Sequence, residues 1–321
     1  MAEIKAMGID IGGTKILGVV CDPTTGDVSS EFRLPTPKAP ADLPTRITEV
    51  AQHLLDSHGD VETIGVGLPG LVDRSGVLRY GPNVPGVLAL NMADLLEKEV
   101  ELPVSGHNDG TCTAIAEHRL GAAKGYSDAV VVAQGTGIGG GLIINNQPVL
   151  GANGFAGEPG HMQSVYGGKI CACGIAGCWE AYASGTGLGR IAQEYLASNR
   201  DSRIVELVDG VLDHVRGEHV SAALDQSDEA AIEIMRQFVV WTTAGIASLI
   251  SLLDPGVVVL GGGLSSLSQG FVGEVEDGLP RFLMGAAYRP ATPVVSARLG
   301  SESGAIGAAI SGHDHASNVR R

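Results

Sequence analysis

Positive charge is in short supply in this chain: 21 Lys and Arg stand against 36 Asp and Glu, for a formal net charge of −15. That balance repels phosphate backbones and anionic lipid headgroups, so neither nucleic acid nor a membrane is an expected partner. A nucleotide is not excluded, because it needs one local pocket of donors rather than a basic face. Long hydrophobic runs are missing too. No unbroken apolar stretch approaches the ~20 residues that span a bilayer. The opening segment Met1 to Gly8 carries Glu3 and Lys5 and leads into no secretion-type apolar region. The expectation is a cytoplasmic protein. The G-x-x-x-x-G-K-[ST] signature is absent, which excludes a P-loop enzyme. Cysteine is scarce at five residues, yet Cys171, Cys173 and Cys178 fall close together. In a cytosolic chain that clustering points to a metal before disulfides.

What is plentiful is glycine, 47 residues, with no three-residue period. Two strand-turn-strand units with glycine-rich tips recur, one near the start of each half. The first joins Ala6–Ile11 to Ile16–Val20 through Gly12-Gly13-Thr14-Lys15; the second joins Ala129–Ala133 to Leu142–Ile144 through Gly135–Gly141. Between and after them strands alternate with helical spacing, which indicates an α/β protein. Asn91 reads as the N-cap of a helix to Val100, Thr111–Leu120 as a helix, and Ala230–Leu253 as a long apolar-striped one. A small-residue helix begins at Ser303 and runs to about Ser311. The small, polar stretch Gly121–Gly125 divides an N-terminal domain, 1–120 completed by the helix 303–321, from a larger one, 121–302.

Several motifs carry chemistry. In Asp10-Ile11-Gly12-Gly13-Thr14-Lys15 the glycines let backbone N–H groups approach a phosphate. Thr14 adds a hydroxyl and Lys15 a charge, while Asp10 at a strand end can hold Mg²⁺ directly or through water. Gly135-Thr136-Gly137 opens a second such loop. The span Gly135–Gly140 contains G-x-G-x-x-G, but a strand follows where a dinucleotide fingerprint requires a helix. In His107-Asn108-Asp109, after a strand and before a helix, Asp109 is either a base for an attacking hydroxyl or a plain N-cap. The most specific pattern is Glu158-Pro159-Gly160-His161 followed by Cys171-x-Cys173 and Cys178-Trp179-Glu180. Three thiolates and one imidazole, from Cys171, Cys173, Cys178 and His161, make a closed tetrahedral Zn²⁺ set, structural because no open position is left. Without the metal this glycine-rich segment is expected to have little to hold it in one shape.

Taken in order, Asp10–Lys15, Asn108-Asp109, Gly135–Gly141, Glu158–His161 and Cys171–Glu180 resemble the ROK family of repressors and sugar kinases. Pro82-Asn83-Val84-Pro85-Gly86 and Cys178–Tyr182 are most similar to its glucokinases. The resemblance implies an actin-like two-domain α/β fold with an interdomain cleft, ATP with Mg²⁺ as phosphoryl donor, and a homodimer or homotetramer. It implies Asp109 as catalytic base on a sugar 6-hydroxyl. Asn83, Asn108, Asp109, Glu158, His161 and Glu180 would contact the sugar. Asp10, Gly12, Gly13, Thr14, Lys15, Gly135, Thr136 and Gly137 would hold the phosphates and their Mg²⁺, with Gly261, Gly262 and Gly263 near the adenosine. An N-acetylhexosamine kinase and a polyphosphate-using glucokinase are the alternatives within enzymes. A non-catalytic, sugar-responsive regulator is the alternative outside them, but a repressor needs a DNA-binding domain before Asp10, where nine residues stand. The sequence departs from the family pattern at His107, Gly110-Thr111, Gln134 and Pro159.

Overall fold

In a computed structural model describing residues 4–81, 89–268 and 270–319, the first sheet forms from the N-terminal hairpin and the strands that follow it. Its members are β1 (Lys5–Ile11), β2 (Lys15–Cys21), β3 (Val28–Pro35), β4 (Val61–Leu68) and, after the short β5 (Leu71–Val72), β6 (Val77–Tyr80) and β7 (Leu90–Asn91), the strand β8 (Val104–Asn108). The order is β3-β2-β1-β4-β8, antiparallel across the hairpin and parallel from β1 through β4 to β8. The parallel strands β1 and β4 are nearly continuous apolar runs, as strands covered on both faces must be. Helices α1 (Leu43–Ser57), α2 (Met92–Val100) and α3 (Asp109–Arg119) fill the connections. On α1 the buried residues Leu43, Ile47, Val50, Ala51 and Leu54 recur at helical spacing and join the core of Met7, Ile9, Ile64 and Val66. Asn91 caps α2, accepting from the Asp94 amide, as the sequence predicts.

The second sheet repeats that plan. Strands β9 (Ala129–Gln134), β10 (Ile138–Ile144) and β11 (Gln147–Pro148) open it. Asn145 and Asn146, both in the left-handed region, make the tight turn between β10 and β11. Then come helices α4 (Glu180–Ala183), α5 (Gly185–Leu196), α6 (Arg203–Leu207), α7 (Gly217–Leu224) and α8 (Glu229–Leu253), with β12 (Val257–Gly261), α9 (Phe271–Gly278) and β13 (Val294–Ser296) after them. The order β11-β10-β9-β12-β13 mirrors that of the first sheet, with β12 and β13 parallel. By length and apolarity α8 matches a membrane span. The search for an unbroken apolar run misses it because Glu233 and Arg236 interrupt the pattern. Its Ile234, Phe238, Ile246 and Ile250 are fully buried, as in the core helix of a globular unit.

The chain divides into two compact units, one of Met1–Val131, Gly140–Gly157 and Ala297–Arg321, the other of Val132–Gly139 and Glu158–Ser296. The last helix, α10 (Ser303–Val319), belongs to the first. It runs past Ser311, where the sequence reading ends it, because Gly312 serves close packing on the Ile64 and Gly65 backbone rather than a stop, and the polar His313, Asp314 and His315 are only partly buried or exposed. Its small residues serve close approach: a Cβ on Gly8 of β1 would collide with the Ala305 carbonyl, and one on Gly65 of β4 with that of Ala308. The helix backbone thus lies directly on the strands.

Candidate active site

In the first unit the ends of β1 and β8 bring two carboxylates together. Asp10 closes β1. Asp109 begins α3, but it is not the cap: Asn108 Oδ1 accepts from the Thr111 amide at 2.9 Å, and Asn108 Nδ2 donates to the Gly70 carbonyl at 3.0 Å. The alternative in which Asp109 merely caps its helix is thereby corrected, since Asn108 satisfies that amide, while the Asp109 carboxylate accepts from its neighbour Gly110 N at 2.8 Å. Burial pushes Asp109 up to about 6. Asp10 is pushed up to about 7, by burial first and then by the charge of Asp109, with Lys15 pulling the other way. Two half-buried carboxylates of like charge form a site that a divalent cation would relieve. The turn Gly12–Lys15 is held by Gly12 N donating to Lys15 O at 2.9 Å and by Thr36, whose hydroxyl donates to Gly12 O at 2.7 Å. Gly110 has no room for a Cβ because the Gly140 backbone of β10 lies against it. So Gly140 packs the helix that presents Asp109.

In the second unit Gly135 and Thr136 line a cavity of 1280 Å³, with the first turns of α5 and α7 around it. Gly185 N donates to Gly135 O at 2.8 Å, and the Thr186 hydroxyl to Thr136 O at 2.9 Å. Because a trans peptide sets its C=O and N–H on opposite sides, the Thr136 and Gly137 amides point away from α5, as a phosphate cradle requires. Of the three glycines after β12, Gly263 lines the cavity. Gly262, at φ +82°, packs on the Gln134 backbone, and Gly261 ends the strand. Arg190, Gln193, Asp213, Arg216, Glu218 and Ser221 also line this space. Sequence reasoning misses them, because isolated polar residues on amphipathic helices look like a solvated face.

The third cluster, also in the second unit, gathers His161, Cys171, Cys173 and Cys178, whose ligand atoms all lie within 4.8 Å of one another. Cys173 Sγ and Cys178 Sγ are 3.7 Å apart and Cys171 Sγ is 3.9 Å from His161 Nδ1. A tetrahedron of sulfurs at Zn–S distances has edges of roughly 3.8 Å, so the donor set fits zinc in both chemistry and spacing. The segment is better ordered by its own backbone than the sequence suggests. Cys171 N donates to Ile175 O, Gly177 N to Lys169 O and Trp179 N to Met162 O. The buried Trp179 indole donates to the Trp241 carbonyl at 2.9 Å. Glu180 follows directly, one oxygen 3.1 Å from Cys171 Sγ and the other accepting from Ile138 N at 2.8 Å. Glu158 precedes the single turn Pro159–His161. Asn83, with the rest of the motif Pro82–Gly86, lies outside the described residues.

The profile of the ROK family matches residues 6–314. A glucokinase from Streptomyces coelicolor is 35% identical over 306 residues, covering 94% of this chain and 96% of that protein. An N-acetylgalactosamine kinase from a Shewanella species is 34% identical over 329 residues, covering 95% and 96%. Among solved structures, a ROK family glucokinase from Streptomyces griseus in complex with glucose and AMPPNP superposes with a TM-score of 0.87 at 35% identity, covering 97% of this chain and 99% of that one.

Proposed function

The chain belongs to the ROK family, and we propose that it is a glucokinase, transferring the γ-phosphoryl group of ATP to the 6-hydroxyl of glucose. The observation that carries this reading is the release of Asp109 from helix capping: a half-buried carboxylate raised to about 6 is available to a substrate. In the step proposed, the sugar hydroxyl oxygen bonds to the γ-phosphorus as the bond to the β-phosphate oxygen breaks, and Asp109 takes the hydroxyl proton. Asn83, Asn108, Glu158, His161 and Glu180 would bind the sugar; a carboxylate suits this because each oxygen accepts from hydroxyls. Gly12–Lys15 and Gly135–Gly137 would hold the phosphates. Asp10 would hold Mg²⁺, directly or through water, and that ion would neutralise charge developing on the phosphates. His161, Cys171, Cys173 and Cys178 would hold one structural Zn²⁺, which would fix the segment that carries His161 and leads into Glu180.

The cavity favours a nucleoside triphosphate over polyphosphate. Its lining offers Arg190 and Arg216 but also Asp213, Glu218 and Asp225, an acidic surplus that suits a base and ribose better than a run of phosphates. We also propose a cytoplasmic enzyme, assembled as a homodimer or homotetramer as the family resemblance implies. A coupled kinase assay over a panel of sugars and donors tests the assignment. Glucose should exceed N-acetylglucosamine and N-acetylmannosamine in kcat/KM by at least about 10²-fold, since a site built for hydroxyls rejects analogues that leave its polar groups unpaired. Preference for an N-acetylhexosamine, as in the Shewanella relative, would move the substrate and leave the phosphoryl-transfer chemistry in place.

A further inference from the structure

The loop Gly135–Gly137 hangs between two supports. On its entry side α5 takes the Gly135 and Thr136 carbonyls. On its exit side stands Ile138, whose peptide group is met from two directions. Its N–H donates to Glu180 Oε2 at 2.8 Å, and its carbonyl lies so close to Gly160 that no Cβ fits there. A Cβ on Gly137 would likewise strike the Glu180 carboxylate. Gly160 and Glu180 come from the two segments that also supply the metal cluster, and Glu180 Oε1 faces Cys171 Sγ at 3.1 Å. One carboxylate therefore spans from the thiol cluster to the first amide after the phosphate loop.

We propose that Glu180 is a positioning residue for the nucleotide: its bond to the Ile138 amide sets the course of the Gly135–Gly137 loop. The inference rests on the reading of that loop as a phosphate cradle, and it gives a side chain assigned to the sugar a second task on the donor side. A hydrogen bond to a charged acceptor is strong enough for its loss to be felt as a tenfold effect. Glutamine keeps an acceptor oxygen of the same reach. Aspartate keeps the charge but falls short by one methylene.

The test is calorimetric titration with AMPPNP and Mg²⁺, with no sugar present, and separately with glucose alone, zinc content being measured on every variant. Glu180→Ala and Glu180→Asp should each weaken AMPPNP binding by about tenfold or more, and Glu180→Gln should restore it to within about threefold of the parent. Glu180→Gln should still bind glucose more weakly. If Glu180→Ala loses zinc or fails to fold, Glu180→Asp carries the comparison with Glu180→Gln. Parental AMPPNP affinity in the Ala and Asp variants would overturn the proposal, as would a loss in Glu180→Gln equal to theirs. Parental glucose binding by Glu180→Gln, alongside weakened AMPPNP binding in the other two, would sink the sugar role of Glu180 and uphold the positioning role.

Discussion

Replacing Asp10 by asparagine should make the protein more stable, by an amount that grows with pH. Asp10 is raised from 3.8 to about 7 in the folded chain. A carboxyl whose folded value is raised binds its proton more tightly folded than unfolded. Its favourable contribution is fully present below pH 3.8 and is lost as pH rises through about 7. At 1.36 kcal/mol per unit the difference between the two limits is ~4 kcal/mol, an upper figure because part of the shift comes from Asp109, which titrates with it. Asparagine has the same shape and never ionises. Below about pH 4 the variant and its parent should differ by a constant. Above about pH 7 the variant should gain up to ~4 kcal/mol on that baseline, worth roughly 6 °C in Tm for a chain of this size. Calorimetric melts of both proteins without nucleotide or Mg²⁺, across that pH range, give the gap directly, and taking the difference cancels the titrating groups that do not interact with Asp10. A gap flat in pH would refute the reasoning, because it would mean that Asp10 meets water or a counter-charge in the folded state.

Asp109→Asn should lower kcat by about 10²-fold or more without unfolding the protein, since Asn108 provides the cap, and because Asp109 is raised from 3.8 to about 6 its melting temperature should climb relative to the parent's as pH rises through that range; near-parental kcat would place the base elsewhere. In the parent enzyme kcat should fall as pH drops below about 6, where Asp109 takes up its proton; steady-state rates across that range check it. Cys173→Ser should abolish stoichiometric zinc, read by metal analysis, and weaken sugar binding. Secondary structure should survive in that variant, because the loop keeps its backbone bonds. Glu117→Ala should cost about 3 kcal/mol or more in denaturant unfolding. The buried Glu117 carboxylate accepts from the amides of Ala122, Arg298 and Leu299, and removing it strands all three.

Much of the site is legible where spacing alone dictates chemistry. Three cysteines and an upstream histidine on one glycine-rich segment have few other uses, and they converge as ligands should. The doubled glycine hairpin is legible for the same reason, and both sheets are built outward from it. Less legible is what each glycine is for. Gly135 lines the cavity, whereas Gly140 in the same run lies against Gly110 so that α3 can seat Asp109. A glycine looks alike in sequence whether it makes room for a ligand or for a neighbouring backbone. Asn108 and Asp109 present the same ambiguity. Both types cap helices well, and only the backbone path decides which one does so. Glu117 is the extreme case: a glutamate inside a helical pattern looks solvated until distant residues supply its donors.

The backbone-on-backbone seat of α10 has a consequence for the order in which the molecule is made. Gly8 and Gly65 leave the ribosome well before Ala305 and Ala308. Every residue of the second unit is synthesised before α10 exists. Domains ordinarily fold from the N-terminus as they emerge, but here the first unit is finished last. Its β1 and β4 must wait with one apolar face uncovered while a whole second unit forms. Contacts so far apart in sequence also close slowly. The face of the nascent first sheet that α10 covers is therefore completed only when α10 arrives.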